Sequence, residues 1–260
     1  MPIQTGLCSV TFRKLTPAAI LDLARQARLA AIEWGGDIHA PHGDLETCRE
    51  VGQMTRDAGL ATPSYGSYFR FETSGLAFEP VLESALALGA STIRVWGGTL
   101  GSSDLVPDER ARLIQAAWEA AELASRSGCE IALEYHGQTV TDTNASAADF
   151  LQQVNHPACR SYWQPRTLAT LDERHQGLEA VLSRLAHVHV FEWTGQPVQR
   201  HPLSDGWDEW LATMAILQRT ERSHTAFLEF VENDAPEALI RDAATLHSLL
   251  IEAGSKAGSS

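Results

Sequence analysis

Residues 91–139, STIRVWGGTLGSSDLVPDERARLIQAAWEAAELASRSGCEIALEYHGQT, contain the unit that decides the fold. Two short apolar runs, STIRVWGG and EIALEYHG, flank a segment whose apolar residues recur at helical spacing. Pro107 followed by acidic residues is typical of the start of a helix, and Gly128 is typical of its end. The stretch therefore predicts a strand, a crossover helix and a second strand parallel to the first.

The same alternation continues along the chain. It predicts eight strand–helix pairs and hence a single-domain (β/α)8 TIM barrel over residues 1–252, with a disordered tail at 253–260. A doubly wound open sheet is the structural alternative, but it usually carries a glycine-rich first turn. Gly35-Gly36 after the second run does not complete a GxGxxG pattern. The predicted strands lie in the runs IQTGLCSVTF, AAIEWGG, LATPSYGSY, STIRVWGG, EIALEYHG, CRSYWQP, HVHVFEW and AFLEFV.

Composition narrows the class of protein. The 260 residues are 44% hydrophobic and include 33 acidic and 20 basic residues, for a net charge of −13. That charge disfavours a nucleic-acid partner, because such surfaces depend on Lys and Arg. No apolar run reaches the roughly 18 residues of a membrane span, so no membrane partner is expected. Four widely spaced cysteines without a CxxC pair predict free thiols in a reducing cytoplasm.

Polar residues at the carboxyl ends of the later strands form the candidate site. Catalytic groups of such barrels project from these ends, so Glu134, Gln164, His189 and Glu229 are expected to converge. Two carboxylates, an imidazole and an amide oxygen suit a hard divalent ion. The alternative for each glutamate is an inward ion-pair partner within the barrel. His187, which faces the same way as His189, is expected to be a core residue.

Four motifs carry a family resemblance. LEYHG on the fifth strand, HVHVFEW on the seventh, RHPLSDGWDEW after it and FLEFV on the eighth occur in the order found in the xylose isomerase-like barrels. That group contains sugar and sugar-phosphate isomerases and epimerases and also the endonuclease IV-type barrels. The chain resembles this family over nearly its whole length.

The resemblance implies a function and roles for named residues. It implies a sugar or sugar-phosphate isomerase or epimerase that uses Mn2+ or Mg2+, with Zn2+ or Co2+ as alternatives, and that acts on a small-molecule carbohydrate through an enediolate. The metal ligands would be Glu134, Gln164, His189 and Glu229. The first and last of these would transfer the protons, and the assembly would be a homodimer or homotetramer. Further substrate contacts are expected from His136, Glu192, Arg200, Trp96 and Tyr65, the last two as aromatic walls of a sugar pocket.

Gln164 departs from the family pattern, which has an aspartate at this position. A neutral ligand lowers the charge of the ligand set from about −3 to −2, which weakens the binding of a dication. Thr167 also stands where the family has a histidine. These departures leave open a metal-free or metal-altered relative, either a keto-sugar lyase or dehydratase or a sugar-binding protein without catalysis. An endonuclease IV-type nuclease is less consistent with the sequence, because it needs more His and Asp ligands and a basic surface.

Overall fold

The computed structural model describes residues 3–71, 77–166 and 168–257. Eight parallel strands in this part of the chain close into a barrel in the order β1-β10-β7-β6-β5-β4-β3-β2. The (β/α)8 prediction is confirmed. The barrel strands are β1 Gln4–Cys8, β2 Ala31–Gly35, β3 Ala61–Phe69, β4 Thr92–Val95, β5 Glu130–Glu134, β6 Cys159–Trp163, β7 Leu185–Val190 and β10 Thr225–Leu228.

In the described residues, eight α-helices surround the barrel, and their ends follow the sequence signals. Thr16 caps the first helix by accepting a hydrogen bond from the Ala19 amide, with Pro17 as its first residue. Gly89 and Gly128 adopt positive φ just after α3 and α4, as helix-terminating glycines do. The helices are α1 Pro17–Gln26, α2 Leu45–Asp57, α3 Phe78–Leu88, α4 Pro107–Arg126, α5 Asn144–Val154, α6 Leu171–Val181, α7 Trp207–Leu217 and α8 Pro236–Ala257.

The interior of the barrel is arranged in layers. A small apolar layer inside it includes Ala31, Ala132, Tyr162 and Phe227. Because side chains alternate between the two faces of a strand, the residue two positions further along faces the same way. This spacing places a polar layer directly above the apolar one, toward the carboxyl ends of the strands. Its members include Glu33, Glu134, Gln164 and Glu229.

Two features differ from the sequence expectation. The loop after β7 contains an antiparallel hairpin, β8 Glu192–Thr194 and β9 Gln199–His201, which the sequence pattern did not reveal. The last helix continues through residues 253–257, so the predicted disordered tail is wrong there; residues 258–260 lie outside the described part. α8 ends later than expected because residues up to Ala253 still pack into the core. Of the helices described, none is long and apolar enough to cross a membrane.

Candidate active site

The four predicted metal ligands meet at one point inside the carboxyl end of the barrel. The Nδ1 atom of His189 lies 2.9 Å from Gln164 Oε1, 3.4 Å from Glu229 Oε2 and 3.8 Å from Glu134 Oε1. His189 is fully buried and the two glutamates are nearly so. Three oxygens and one nitrogen therefore converge around a largely buried point.

Gln164 is held so that its oxygen faces this point. Its Nε2 atom donates a hydrogen bond of 2.6 Å to the backbone carbonyl of Tyr135, which leaves Oε1 directed at His189. The amide orientation follows from the hydrogen-bond network, because only the nitrogen can donate to a carbonyl. A strand-end amide thus presents an oxygen to the centre of the four converging residues.

A buried ion-pair row crosses the barrel beside the four converging residues. Arg94 donates from Nε to Glu33 Oε1 at 2.9 Å and from Nη1 to Glu134 Oε2. All three side chains are almost completely buried. The row depends on Gly66 in β3, since a Cβ atom there would lie 2.6 Å from Arg94 Nη2. Glu134 is thus an inward ion-pair partner, as the structural alternative expected, while its Oε1 still faces His189.

Glu33 fixes the orientation of the His189 ring from below. Its Oε1 atom lies 3.3 Å from His189 Nε2 and also accepts from Arg94 and from the Cys8 thiol, while Ser64 donates to Oε2 at 2.6 Å. A ligating histidine commonly donates its second ring N–H to a carboxylate in this way. The network assigns a proton to Nε2 and leaves Nδ1 to face the three oxygens.

The carboxyl groups at this end of the barrel differ in pKa. Burial is the largest single influence on Glu33 and Glu134 and would raise their pKa, but the Arg94 guanidinium and His189 together with the remaining partners outweigh it and hold the pKa of both below its usual range, that of Glu33 by a wide margin. Glu229 makes no ion pair with Arg94, and burial followed by the nearby Glu134 charge raises its pKa, although His189 opposes the rise. Burial lowers the pKa of His189, but the surrounding carboxylates, Glu229 first, raise it above its ordinary value.

These residues fit a divalent cation. The Nδ1 atom of His189 faces three acceptor oxygens, and a single N–H cannot satisfy all three. Three carboxylates against one guanidinium also leave a net charge of −2 with a neutral His189, which a dication would balance. The donor set of Glu134, Gln164, His189 and Glu229 suits Mn2+ or Mg2+.

Cys8, which the sequence analysis predicted only to be a free thiol, is a further potential donor. The Cys8 sulfur, a ring nitrogen of His189 and a carboxylate oxygen of Glu229 all lie within 4.8 Å of one another. Burial and the neighbouring carboxylates, however, raise the pKa of the Cys8 thiol well above its usual value. The thiol is protonated and donates to Glu33 at 3.2 Å. We therefore assign the four residues with oxygen and nitrogen donors, rather than Cys8, as the candidate ligand set.

Three predicted substrate contacts lie away from the four converging residues. Tyr65 is fully buried in the outer core, because Ser64 next to it faces inward, and its hydroxyl donates to the Ala40 carbonyl. Arg200 pairs with Asp234 in the hairpin region. Glu192 is half-buried beside Gly206, and burial raises its pKa. The structure does not support the prediction for Tyr65, and it places the other two in the loop after β7.

Trp96 and His136 do lie at the site, but not as an open aromatic wall. The two rings stack with centroids 4.1 Å apart, and the Arg70 guanidinium lies 3.9 Å from the Trp96 centroid. If the His136 ring and the Arg70 guanidinium lay on the same face of Trp96, they would overlap at these distances. The two groups therefore cover opposite faces of the indole. The predicted stacking of a sugar on Trp96 is therefore not available, although its indole N–H reaches Glu134 Oε2.

Comparison with known proteins agrees with this architecture. The family model described as xylose isomerase-like TIM barrel matches residues 21–249. The chain belongs to that family. A curated relative, the 3-dehydroshikimate dehydratase of Bacillus anthracis, is 27% identical over 168 residues, which cover 60% of this chain and 59% of the relative. The match thus spans less than two thirds of that relative's length.

Solved structures of family members share the fold at low sequence identity. The probable 3-DHS dehydratase of Bacillus anthracis has a TM-score of 0.79 at 20% identity, covering 94% of this chain and 99% of that one. A Mycobacterium smegmatis protein in complex with magnesium has a TM-score of 0.75 at 15% identity, covering 96% and 97%. An L-ribulose 3-epimerase has a TM-score of 0.74 at 14% identity, covering 98% and 97%. At these identities the likeness shows the fold alone.

Gln164 offers a direct test of the ligand set. We expect Gln164→Asp to bind Mn2+ roughly tenfold or more tightly than Gln164→Asn, because the two side chains have the same length and differ by one negative charge beside the ion. Isothermal titration of each apo variant measures the difference. Equal affinities would show that this side chain lies outside the coordination sphere.

Proposed function

We propose that the protein is an enzyme that removes a proton next to the carbonyl group of a hydroxylated ketone. The substrate would be a small carbohydrate or a keto acid of carbohydrate type. The observation that carries the proposal is the pair of buried glutamates, Glu134 and Glu229, whose oxygens face the same nitrogen of His189 from two strands. A divalent ion bound by Glu134, Gln164, His189 and Glu229 would supply Lewis-acid polarisation of the substrate carbonyl.

The hydrogen bonds of the two glutamates favour different roles. Glu134 accepts from Arg94 and Trp96 on one oxygen, which keeps the carboxylate ionised and fit to accept a proton on the other. Glu229 has no such partners among the contacts described, and its closest polar neighbours are His189 and the thiol of Cys8. It is the better proton donor. Such a division between two carboxyl groups is typical of acid–base catalysis.

Dehydration is the outcome we favour. Glu229 would take up a proton from solvent as the substrate binds. Glu134 would take the proton from the carbon next to the carbonyl, Glu229 would protonate the hydroxyl group on the adjacent carbon, and Glu134 would release its proton to solvent after the product leaves. The C–H electron pair becomes the new C=C bond, the C–O bond breaks, and water leaves. The sequence relationship to the 3-dehydroshikimate dehydratase supports this outcome.

Epimerisation is the second candidate, because the first proton transfer is the same. The proton would then return to the opposite face of the same carbon, and no water would leave. An L-ribulose 3-epimerase is among the structures that share the fold, which favours epimerisation as the second candidate.

A substrate screen distinguishes the two outcomes. The purified protein with added Mn2+ is incubated in D2O with a panel of ketoses and hydroxylated keto acids, and each reaction is followed by NMR and ultraviolet absorbance. For dehydration we expect a new absorbing enone or aromatic product, because the proton is lost and the carbon joins the new C=C bond. Deuterium uptake and a changed configuration without a new chromophore would favour epimerisation. The absence of both a new chromophore and deuterium uptake for every member of the panel would count against the proposal.

A further inference from the structure

Trp96 lies at the carboxyl end of β4. Other side chains pack against both faces of its indole ring and make one T-shaped contact with it. Arg70 and His136 cover its two faces at 3.9 and 4.1 Å, and Tyr68 meets it in a T-shaped contact with centroids 5.4 Å apart. The ring is therefore fixed in place and has no face left for a ligand.

The neighbours that fix Trp96 are themselves tied to the backbone. Arg70 Nη1 donates to the Gly98 carbonyl at 3.2 Å, and His136 Nδ1 is 2.7 Å from the Gly137 carbonyl. The first contact joins the loops after β3 and β4, and the second lies within the loop after β5. A side chain held this way can define the position of any group it binds through its edge.

The edge of Trp96 binds Glu134. The indole N–H donates to Oε2, the same oxygen that accepts from Arg94 Nη1, whereas Oε1 is the atom that faces His189. Two donors on one oxygen fix the carboxylate plane and its rotation about the last side-chain bond. The second oxygen is then presented to the centre of the four converging residues.

We propose that Trp96 is a positioning residue that holds Glu134 through its indole N–H, and that it does not bind substrate by stacking. This inference rests on the proposed function, because it assigns Glu134 to the metal and proton-transfer site. Loss of an outer-shell partner of a metal ligand typically lowers metal affinity 10- to 100-fold.

Trp96→Phe tests the inference with Mn2+ alone as the probe. The variant keeps an aromatic ring between Arg70 and His136 and removes the N–H. Trp193→Phe is the matched control, since Trp193 is also half-buried at this end of the barrel and its indole donates to the Phe230 carbonyl at 3.3 Å. We expect the Mn2+ dissociation constant to rise about 10- to 100-fold in Trp96→Phe and less than about twofold in Trp193→Phe. Equal dissociation constants in the two variants would overturn the inference.

A second measurement requires no bound metal and does not depend on whether the Trp96→Phe variant folds. In protein labelled with 15N at the tryptophan indoles, the Trp96 N–H resonance of the apo protein is expected downfield and to move upfield in Glu134→Gln, because it bonds to a charged acceptor. An unmoved resonance would overturn the inference. If the wild-type protein binds no Mn2+ but this resonance moves as expected, the proposed function fails while the contact between Trp96 and Glu134 stands.

Discussion

Glu134→Gln and Glu229→Gln are each expected to reduce the rate of product formation from a substrate found by the screen by a factor of roughly 10² to 10⁴, the usual contribution of general acid–base catalysis. An amide has nearly the shape of a carboxyl group but can neither accept nor release the proton. In Glu134→Gln the ion pair with Arg94 is lost as well, whereas Glu229→Gln makes no change to that row. The rate of product formation, followed by NMR or ultraviolet absorbance, measures both effects.

Glu130→Gln provides the matched control for these variants. Glu130 begins the same strand as Glu134 but lies at the opposite end, where it pairs with Arg160 and Arg222. Its replacement should leave the rate of product formation within about twofold of the wild type, since Glu130 is remote from the proposed reacting atoms. A Glu134 or Glu229 variant that forms product at the wild-type rate would exclude that residue as a proton-transfer group.

Arg94→Met is expected to lower the free energy of unfolding by about 3–5 kcal/mol. The guanidinium is buried between Glu33 and Glu134, so its removal leaves two buried carboxylates without their main counter-charge. Leaving a buried charge uncompensated costs far more than losing an exposed ion pair. Urea denaturation of the apo protein followed by circular dichroism measures the change.

Two further variants show whether charge is the cause. Arg94→Met combined with Glu33→Gln removes one cation and one carboxylate, and it should recover part of the lost stability. Arg160→Met removes an arginine from a partly exposed pair with Glu130, 3.1 Å long, and should cost about 1 kcal/mol or less. The explanation fails if Arg94→Met and Arg160→Met have the same stability, or if the double variant is no more stable than Arg94→Met.

The sequence predicted the barrel and the meeting of four side chains for the same reason. Alternation along each strand and the common direction of parallel strands fix both the core and the polar layer above it. Because Glu134, Gln164, His189 and Glu229 each end or nearly end an apolar run, their convergence follows from the strand pattern alone. The hairpin after β7 lacks such a signal, since its strands are only three residues long.

The contacts within the polar layer could not be predicted in this way. Glu33 and Arg94 were visible as polar residues on the second and fourth strands, but which inward side chains meet depends on the register. The pairing of β2 with β3 shifts between Ala31 and Glu33, and that of β3 with β4 shifts between Gly66 and Phe69. The coverage of both faces of Trp96 likewise depends on loop conformations, which a strand pattern does not determine.

Titration of the apo protein with Mn2+, followed by electron paramagnetic resonance, tests the central claim most directly. The account predicts one tightly bound ion per chain in the wild type and loss of that ion in Glu229→Gln, which removes one ligand charge and leaves the Arg94 row intact. A wild-type protein that binds no Mn2+, and whose melting temperature is unchanged by Mn2+, Mg2+, Zn2+ and Co2+, would contradict it.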